Sequence, residues 1–292
     1  MKAGGRASRV ILGLLAALLA AAPAAGRDDV KGPAKRPGKG GAESARAPCP
    51  ETSMAEDRMA GVSDAGDLLL ASGRTVVVAD LRWAGPEPGP PMLDAASAKP
   101  GPIAWLRSLR DQRVTVRPTG EPDRWNRLTG SVALLNGGST PIDLAELAIA
   151  EGLALVDVGE RDELCRPDLL KLELSARVAG RGVWTTPPVR AGDLEALAGR
   201  AGRFAVIEGR IVSVGERANR TYLNFGRDFA KDFAIVVPKR SWAAFKAAGR
   251  DATALRGRLV RVRGTIEVRR APSLEITAPD MLEILPEGAG LR

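Results

Sequence analysis

The sequence predicts a mainly β protein with α-helices, built from two small five-stranded barrels that follow one another along the chain. Short runs in which apolar and polar residues alternate, separated by Gly, Pro and Asp turns, indicate strands throughout the region after residue 57. In each half of that region, three such runs are followed by a helical pattern and then by two more runs. A length of 292 residues also suits two domains better than one.

The first half contains the strand signals of one closed barrel backed by helices. The expected strands are Arg58–Val62, Asp67–Ala71, Thr75–Leu81, Val114–Arg117 and Leu128–Leu135. A Pro/Gly-rich loop over residues 85–102 follows the third strand, and Pro102 then begins a short amphipathic helix. A second helix is expected after a cap at Thr140, and a third from about Pro167 to Gly180. The third helix is expected to bury an apolar face, namely Leu170, Leu174 and Val178.

The second half has the order of three strands, one helix and two strands that is typical of an OB-type barrel. The expected strands are Phe204–Val214, Thr221–Phe225, Phe233–Val237, Leu259–Val268 and Leu274–Thr277. The helix is expected over Ser241–Ala248, with Ser241 as its cap. Alternation in the fourth strand sorts its side chains onto two faces. One face is apolar, with Val260, Val262, Ile266 and Val268, and the other is polar, with Arg261, Arg263, Thr265, Glu267 and Arg269.

The first 26 residues have the pattern of a secretory signal peptide. Lys2, Arg6 and Arg9 precede a charge-free Leu/Ala run, and small residues follow it. The run is shorter than the ~20 apolar residues of a membrane-spanning helix, so a retained anchor is the less favoured alternative. The mature protein is therefore expected to be periplasmic or secreted, with no stable membrane insertion after cleavage of the signal peptide.

Composition divides the rest of the chain into four parts. Residues 27–56 are expected to be a disordered linker, because Gly, Pro, Ala and Lys dominate much of the segment. The first barrel is expected over residues 57–186 and the second over residues 201–287. Pro and Gly residues mark a second linker over residues 187–200.

Residue counts exclude several kinds of chemistry. The chain has no histidine, which rules out a Ser-His-Asp triad, a Cys-His dyad and a histidine zinc site. Two cysteines cannot supply the four thiolates of a zinc or iron–sulfur site. In an exported chain they favour one disulfide, Cys49–Cys165, with two unpaired side chains as the alternative.

The net charge of +8 says little about the folded region. Three positive charges lie in the predicted signal peptide, and residues 27–46 hold six basic and three acidic residues. The chain from Ala47 onward is therefore nearly balanced, and the high isoelectric point is weak evidence for nucleic-acid binding.

Three groups of motifs occur in an order that resembles a known family. Asp64-Ala65-Gly66-Asp67-Leu68 is similar to an Asp-Gly-Asp-Thr hairpin, and Asp123-Arg124-Trp125-Asn126-Arg127 is similar to an Asp-x-Tyr-Gly-Arg element. Residues 150–184 resemble a closing pair of helices. Together the segment from Asp57 to Trp184 resembles a thermonuclease (staphylococcal-nuclease-like) domain, and residues 200–286 resemble the OB-type domain that follows it in some exported bacterial relatives.

The resemblance implies a Ca²⁺-dependent phosphodiesterase that cleaves DNA and RNA. In that family two aspartates hold the metal ion, a glutamate assists the attacking water and two arginines stabilise the phosphate. Asp67 matches the first metal aspartate and Arg127 matches the second arginine. A register shift would make Asp80 the second metal aspartate, and an insertion in the loop would let Glu87 supply the glutamate.

Other positions depart from the family pattern. Val77 stands where the first arginine belongs, and Arg82 stands where a metal carboxylate belongs. A fixed positive charge at that point opposes cation binding. We therefore expect a catalytically degenerate protein without a cofactor, which serves as a binding or structural module for nucleic acid or an envelope protein. The alternative is an active Ca²⁺-dependent nuclease that uses Asp67, Asp80, Glu87 and Arg127.

A second candidate surface lies in the C-terminal half. The polar face with Arg261, Arg263 and Arg269, together with Tyr222 and Phe225, is the expected nucleic-acid-binding surface, because charge and base stacking together hold single strands. A solvated strand face is the alternative. For the first barrel, the structural alternatives are Asp67 as a turn former and an ion pair between Asp123 and Arg127.

Overall fold

The computed structural model describes residue 49 and residues 54–85, 100–135, 140–159, 161 and 163–286. The predicted signal peptide, most of the predicted linker over residues 27–56 and Glu87 lie outside the described residues. Ala47–Arg292 form one compact unit. Buried apolar side chains from both halves of this unit belong to one continuous core.

Five strands in the first half close into a barrel. The elements are β1 (Ala55–Val62), β2 (Leu68–Leu70), β3 (Thr75–Val78), β4 (Leu81–Trp83), α1 (Pro102–Ser108), β5 (Arg113–Pro118) and β6 (Arg127–Leu134). The pairing order is β3-β2-β1-β5-β6, and a parallel pairing of β3 with β6 closes the ring. Alternate residues of these strands are buried, among them Met59, Leu68, Val76, Val114 and Val132. The predicted mainly β class with a five-stranded barrel is thereby confirmed.

Short strands and helices follow the first barrel along the chain. They are β7 (Ile142–Asp143), α2 (Leu144–Ala150), β8 (Ala154–Val156) and α3 (Leu169–Val178). Strand β7 pairs with β6, and β8 pairs with β4. Because Ile142 and Asp143 are held in that pairing, α2 begins later than the cap expected at Thr140. The Asp143 side chain caps the helix by accepting the backbone amide of Glu146 at 2.9 Å.

Helix α3 is turned differently from the prediction. The expected apolar face is wrong, since Leu174 is 46% exposed and Val178 is 81% exposed. The buried side chains are instead Leu169, Glu173 and Ala176. The physical reason is the charge of Glu173, which faces inward to meet a buried arginine of the second half, described below.

The second half contains the larger sheet. Its elements are β9 (Val189–Arg190), α4 (Leu194–Ala198), β10 (Phe204–Arg210), β11 (Ser213–Glu216), β12 (Arg220–Asn224), β13 (Ala234–Pro238), α5 (Lys239–Ala247), α6 (Ala252–Leu255), β14 (Leu259–Val268), β15 (Pro272–Glu275) and β16 (Leu282–Ile284). The pairing order is β11-β12-β13-β15-β14-β10-β9, with β16 on β14.

One bent stretch of chain joins the two ends of the larger sheet. Only Ile211 and Val212 separate β10 from β11, so one bent stretch pairs with β14 through β10 and with β12 through β11. The sheet therefore returns on itself. The pair β13–β15 is parallel, as β3–β6 is in the first half. Helix α1 precedes β5 in the first half, and helices α5 and α6 precede β14 in the second.

Residues 187–200, expected to be a linker, are structured and packed. Strand β9 pairs in parallel with β10, and the side chain of Leu197 on α4 is fully buried. Proline and glycine in this segment therefore shape a short connector and do not mark a flexible join.

A disulfide joins Cys49 to Cys165, as expected. No helix among the described residues combines the length and the apolar character that crossing a bilayer requires.

Candidate functional site

The Asp67 and Arg127 side chains meet at the edge of the first barrel. Asp67 immediately precedes β2, and Arg127 is the first residue of β6. Arg127 Nη1 lies 3.4 Å from Asp67 Oδ2, and Arg127 Nη2 lies 2.9 Å from Asp123 Oδ2. The guanidinium is thus shared by two carboxylates. Asp67 has a positive partner at the point where the resemblance implies a metal ion.

Asp123 organises the turn that presents Arg127. Its Oδ1 accepts the backbone amides of Trp125 and Arg127, both at 2.9 Å, while Asn126 takes a left-handed φ of 61°. The backbone amide of Arg127 is the main reason that the pKa of Asp123 lies below its ordinary value. Hydrogen bonding to Asp123 in turn raises the pKa of Arg127. Trp125 is 57% exposed, and the guanidinium carbons of Arg124 and Arg127 lie 3.8 and 5.0 Å from its ring centroid.

Asp80 occupies a separate, buried place. It follows β3 with a left-handed φ of 59°, and its carboxylate forms an ion pair with Arg161. Asp80 Oδ1 also accepts the backbone amide of Cys165 at 3.1 Å. Burial raises the pKa of this carboxyl, and the charge of Arg161 opposes that rise. Asp80 therefore anchors the segment that carries the disulfide.

These residues do not fit a calcium site. Asp67 is paired with Arg127 and Asp80 with Arg161, so each candidate ligand already has a cationic partner. Arg82 brings a further guanidinium in place of the expected carboxylate. Across the described residues, no group of three or more His, Cys, Asp or Glu side chains is arranged to hold a metal ion. The contacts of Asp67 and Asp80 therefore do not support their expected use as a metal pair.

Arg82 belongs to the contact between the two halves. Its Nε donates to Asp157 Oδ2 at 2.8 Å, and its guanidinium carbon lies 5.1 Å from the ring centroid of Phe204 on β10. The position where the resemblance implies a catalytic carboxylate thus holds a side chain that packs against the second barrel.

The arginine face of β14 is buried, which corrects the expectation of an exposed nucleic-acid-binding stripe at Arg261 and Arg263. Arg263 is completely buried, with Nη1 at 2.5 Å from Glu173 Oε2 and Nη2 in an ion pair with Glu283. Arg261 is 6% exposed, and its Nη2 lies 2.7 Å from Glu208 Oε1. Alternation distinguishes the two faces of a strand but does not say what each face meets, and here the polar face meets α3.

The inter-barrel ion network completes this contact. We use that name for three arginines and three glutamates, Arg177, Arg261, Arg263, Glu173, Glu208 and Glu283. Arg177 Nη1 lies 3.0 Å from Glu208 Oε1, which links α3 to β10. Burial is the main reason that the pKa of Arg177 falls below its ordinary value, and the nearby charge of Arg261 adds to the fall. Glu173 Oε1 also accepts the backbone amide of Val156 at 2.8 Å.

A groove of about 660 Å³ opens on the second barrel. We call it the β12 groove, because alternate residues of that strand, Arg220, Tyr222 and Asn224, point into it. Its floor is made of small or apolar residues of the neighbouring strands, Gly215, Ala234, Val236 and Ser273. Tyr222 is the sole tyrosine of the chain, and Phe229, which is 69% exposed, is a second aromatic residue in the lining.

Charges of both signs line the β12 groove. Arg217, Arg220 and Arg269 supply the positive ones, and neither Arg217 nor Arg220 forms an ion pair with another described residue. Arg269 Nη2 lies 3.6 Å from Glu267 Oε2, and both side chains are exposed. The acidic lining residues are Asp232, Glu267 and Glu275.

Of the predicted nucleic-acid-binding residues, the structure brings together Tyr222 and Arg269. Phe225 is half-buried, and its ring centroid lies 5.2 Å from that of Phe233, so it contributes to packing. Sequence reasoning missed Arg220, Asn224 and Phe229, together with Arg217. The period-two pattern Arg220-Thr221-Tyr222-Leu223-Asn224 was the available signal, since polar and aromatic side chains there alternate with buried ones.

No protein-family model matches the chain, and no curated protein is significantly similar to it.

Proposed function

We propose that this chain is an exported, non-hydrolytic protein related to thermonucleases, whose β12 groove binds single-stranded nucleic acid. The observation that carries the proposal is the groove itself, where Tyr222 and Phe229 lie among three arginines on an open barrel face. The first barrel is compatible with a staphylococcal-nuclease-like or OB-type barrel. The order of the motifs in the sequence supports the relation to thermonucleases, and the N-terminal signal pattern supports export.

Aromatic stacking favours a single strand over a duplex. Bases of a single strand are free to stack on exposed rings, and such stacking contributes about 1–3 kcal/mol per base. Tyr222 is half-buried in the groove, so its ring is held in place, while Phe229 is largely exposed beside it. Paired bases in a duplex do not present their faces to such rings.

The charge arrangement suits the backbone of the same ligand. Arg217, Arg220 and Arg269 are exposed, so they can reach phosphates. In doing so they break no ion pair that contributes much to the stability of the protein. The acidic lining residues disfavour a phosphate close to them and favour base edges at those positions. Three phosphate contacts to a single strand predict a slope of log affinity against log salt concentration of about −2.

The contacts of the first barrel support a non-hydrolytic role. Removing Arg127 from its place would leave Asp67 and Asp123 unpaired, and moving Asp80 would detach Arg161 and Cys165. Each residue that the resemblance connects with catalysis and that the structure describes is thus committed to a structural contact.

The test is a binding titration of the mature chain with a fluorescently labelled oligothymidine of about ten nucleotides and with a duplex of equal length. We expect the single strand to bind more tightly, with affinity falling as salt rises. Tyr222→Ala should weaken binding roughly 5- to 150-fold, as loss of one stacked base implies. The control is Arg240→Gln, an exposed arginine on α5 outside the groove lining, which should leave the affinity unchanged.

Three outcomes would contradict the proposal. Binding without a salt dependence would favour an envelope protein as the partner, because polyanion binding releases counterions. Equal loss in Tyr222→Ala and Arg240→Gln would remove the groove as the site. Cleavage of the oligonucleotide with Ca²⁺, lost with EGTA and in Asp67→Ala, would establish the active nuclease.

A further inference from the structure

The disulfide is placed in an asymmetric electrostatic setting. Arg161 Nη1 lies 2.8 Å from Cys165 Sγ, while its Nη2 contacts the Asp80 carboxylate. Among the described residues, Cys49 has no charged or hydrogen-bonding partner. Both cysteines are partly exposed, so a small thiol can approach the bridge.

No cation of the described part of the chain forms a recorded contact with Cys49, and Arg161 does not compete with another arginine for Cys165. Arg166 follows Cys165 in the chain, but its guanidinium forms ion pairs with three carboxylates, those of Asp143, Glu146 and Asp168. Within the described ranges, Arg161 forms an ion pair with one carboxylate, that of Asp80. Of these two arginines, Arg161 is therefore the one that can stabilise negative charge on the sulfur.

We propose that the Cys49–Cys165 bridge is a thiol–disulfide exchange site with a fixed direction, in which Cys49 Sγ is attacked and Cys165 departs as a thiolate held by Arg161. The sulfur whose thiolate is better stabilised is the better leaving group, and an adjacent arginine stabilises a thiolate. The co-reactant is a dithiol, either a small molecule or the active-site pair of a thiol oxidoreductase.

The step balances as an ordinary two-electron exchange. A thiolate of the dithiol forms a bond to Cys49 Sγ, the Cys49–Cys165 bond breaks, and its electron pair goes to Cys165 Sγ. The second thiolate of the reductant then attacks the reductant's own sulfur in the mixed disulfide and releases Cys49 as a thiolate. The dithiol is oxidised to a disulfide, the protein disulfide is reduced, and protons lost by the dithiol pass to solvent or to Cys49.

The reduced form keeps one half of the site in place. Cys165 remains held because its backbone amide donates to Asp80, which is buried at the end of β3. Cys49 loses the covalent link that joined it to the barrel across 116 residues of sequence. Reduction therefore leaves Cys49 without its link to Cys165 and leaves a reactive thiolate at a fixed position beside Arg161.

The direction of exchange can be read directly on the intact, oxidised mature chain. The protein is mixed briefly with glutathione at neutral pH, quenched with acid and a maleimide, and digested with trypsin for mass spectrometry. We expect glutathione on Cys49 and maleimide on Cys165, in roughly tenfold excess over the reverse, as one nearby opposite charge implies. Equal labelling, or glutathione mainly on Cys165, would overturn the proposal.

Variants identify Arg161 as the cause. Arg161→Gln should abolish the preference, and Arg161→Lys should keep it because the charge is kept. Loss of Arg161 alone leaves a buried Asp80 carboxylate unpaired, so the double variant Asp80→Asn/Arg161→Gln provides a neutral replacement in case the single variant does not fold. Arg110→Gln, at an exposed arginine, is the control and should keep the preference. A preference retained in the double variant would overturn the role of Arg161.

Discussion

Truncation of Arg263 to alanine should destabilise the folded chain by about 3–5 kcal/mol, because it leaves the buried carboxylate of Glu173 without its positive partner, while Glu283 keeps Arg261. Arg263 is completely buried and pairs with Glu173 from α3 and Glu283 from β16. Glu173 is itself 3% exposed, so water cannot replace the lost guanidinium. Among the residues that the structure describes, Glu173 then keeps the backbone amide of Val156 as its one hydrogen-bond partner.

The measurement is urea-induced unfolding of the mature chain, followed by circular dichroism and by tryptophan fluorescence. Arg269→Ala is the matched control, because Arg269 directly follows β14 but is exposed, and it should cost less than about 0.5 kcal/mol. The double variant Arg263→Met/Glu173→Gln should recover most of the loss. It leaves two arginines and two glutamates in the inter-barrel ion network and keeps an acceptor for Val156.

Two results would refute this reasoning. If Arg263→Ala costs no more than Arg269→Ala, the ion network does not hold the halves together. If the double variant is as unstable as the single one, the loss comes from a packing defect and not from unpaired charge, since methionine restores much of the volume but none of the charge.

Three further outcomes follow from individual contacts. The pKa of Asp123 is lowered from 3.8 in the folded chain, so its carboxylate should stabilise the protein above pH 3.8. The difference in Tm between the wild type and Asp123→Asn should therefore shrink as the pH falls through the lowered pKa of the folded state. Gly152→Ala should lower the free energy of unfolding by several kcal/mol in urea, because φ is +67° there and the new Cβ would lie 2.2 Å from the carbonyl oxygen of Arg181; an ordinary Tm would contradict the geometry. The variant Cys49→Ser/Cys165→Ser should lose about 2–5 kcal/mol of stability, as measured by thermal unfolding against the untreated wild type, and a loss below 1 kcal/mol would show that the bridge constrains little.

The strands could be predicted because their evidence is local. Alternation and turn residues placed Leu259–Val268 at its observed bounds, and the first and fourth strands of the first half within a few residues. Helix faces were harder. The apolar series Leu170, Leu174 and Val178 predicted the buried side of α3, yet a single glutamate, Glu173, determines its orientation.

The candidate site was predictable in part for a related reason. Tyr222 and Arg269 were identified because aromatic and basic residues stand out in a chain with 4% aromatic residues. The β12 groove as a whole was not predicted, since three of its four floor residues are Gly, Ala and Ser, and such residues carry no signal until neighbouring strands are aligned. The commitment of Asp80 to Arg161 and Cys165 spans more than 80 residues of sequence, beyond the reach of any local pattern.

Strands β12 and β14 of the second half show that an alternating arginine pattern alone does not decide between a binding face and a buried contact. Arg263 on β14 and Arg220 on β12 stand at equivalent polar positions of alternating strands, yet one is completely buried and the other exposed. The difference lies in the acidic partners of each arginine. Three glutamates from α3, β10 and β16 converge on the arginines of β14 and its neighbour α3. A buried arginine needs such matched acids, because an uncompensated one is too costly to desolvate. Arginines that form no ion pair with another described residue, such as Arg217 and Arg220 of the β12 groove, are the ones left free to meet a partner's negative charge.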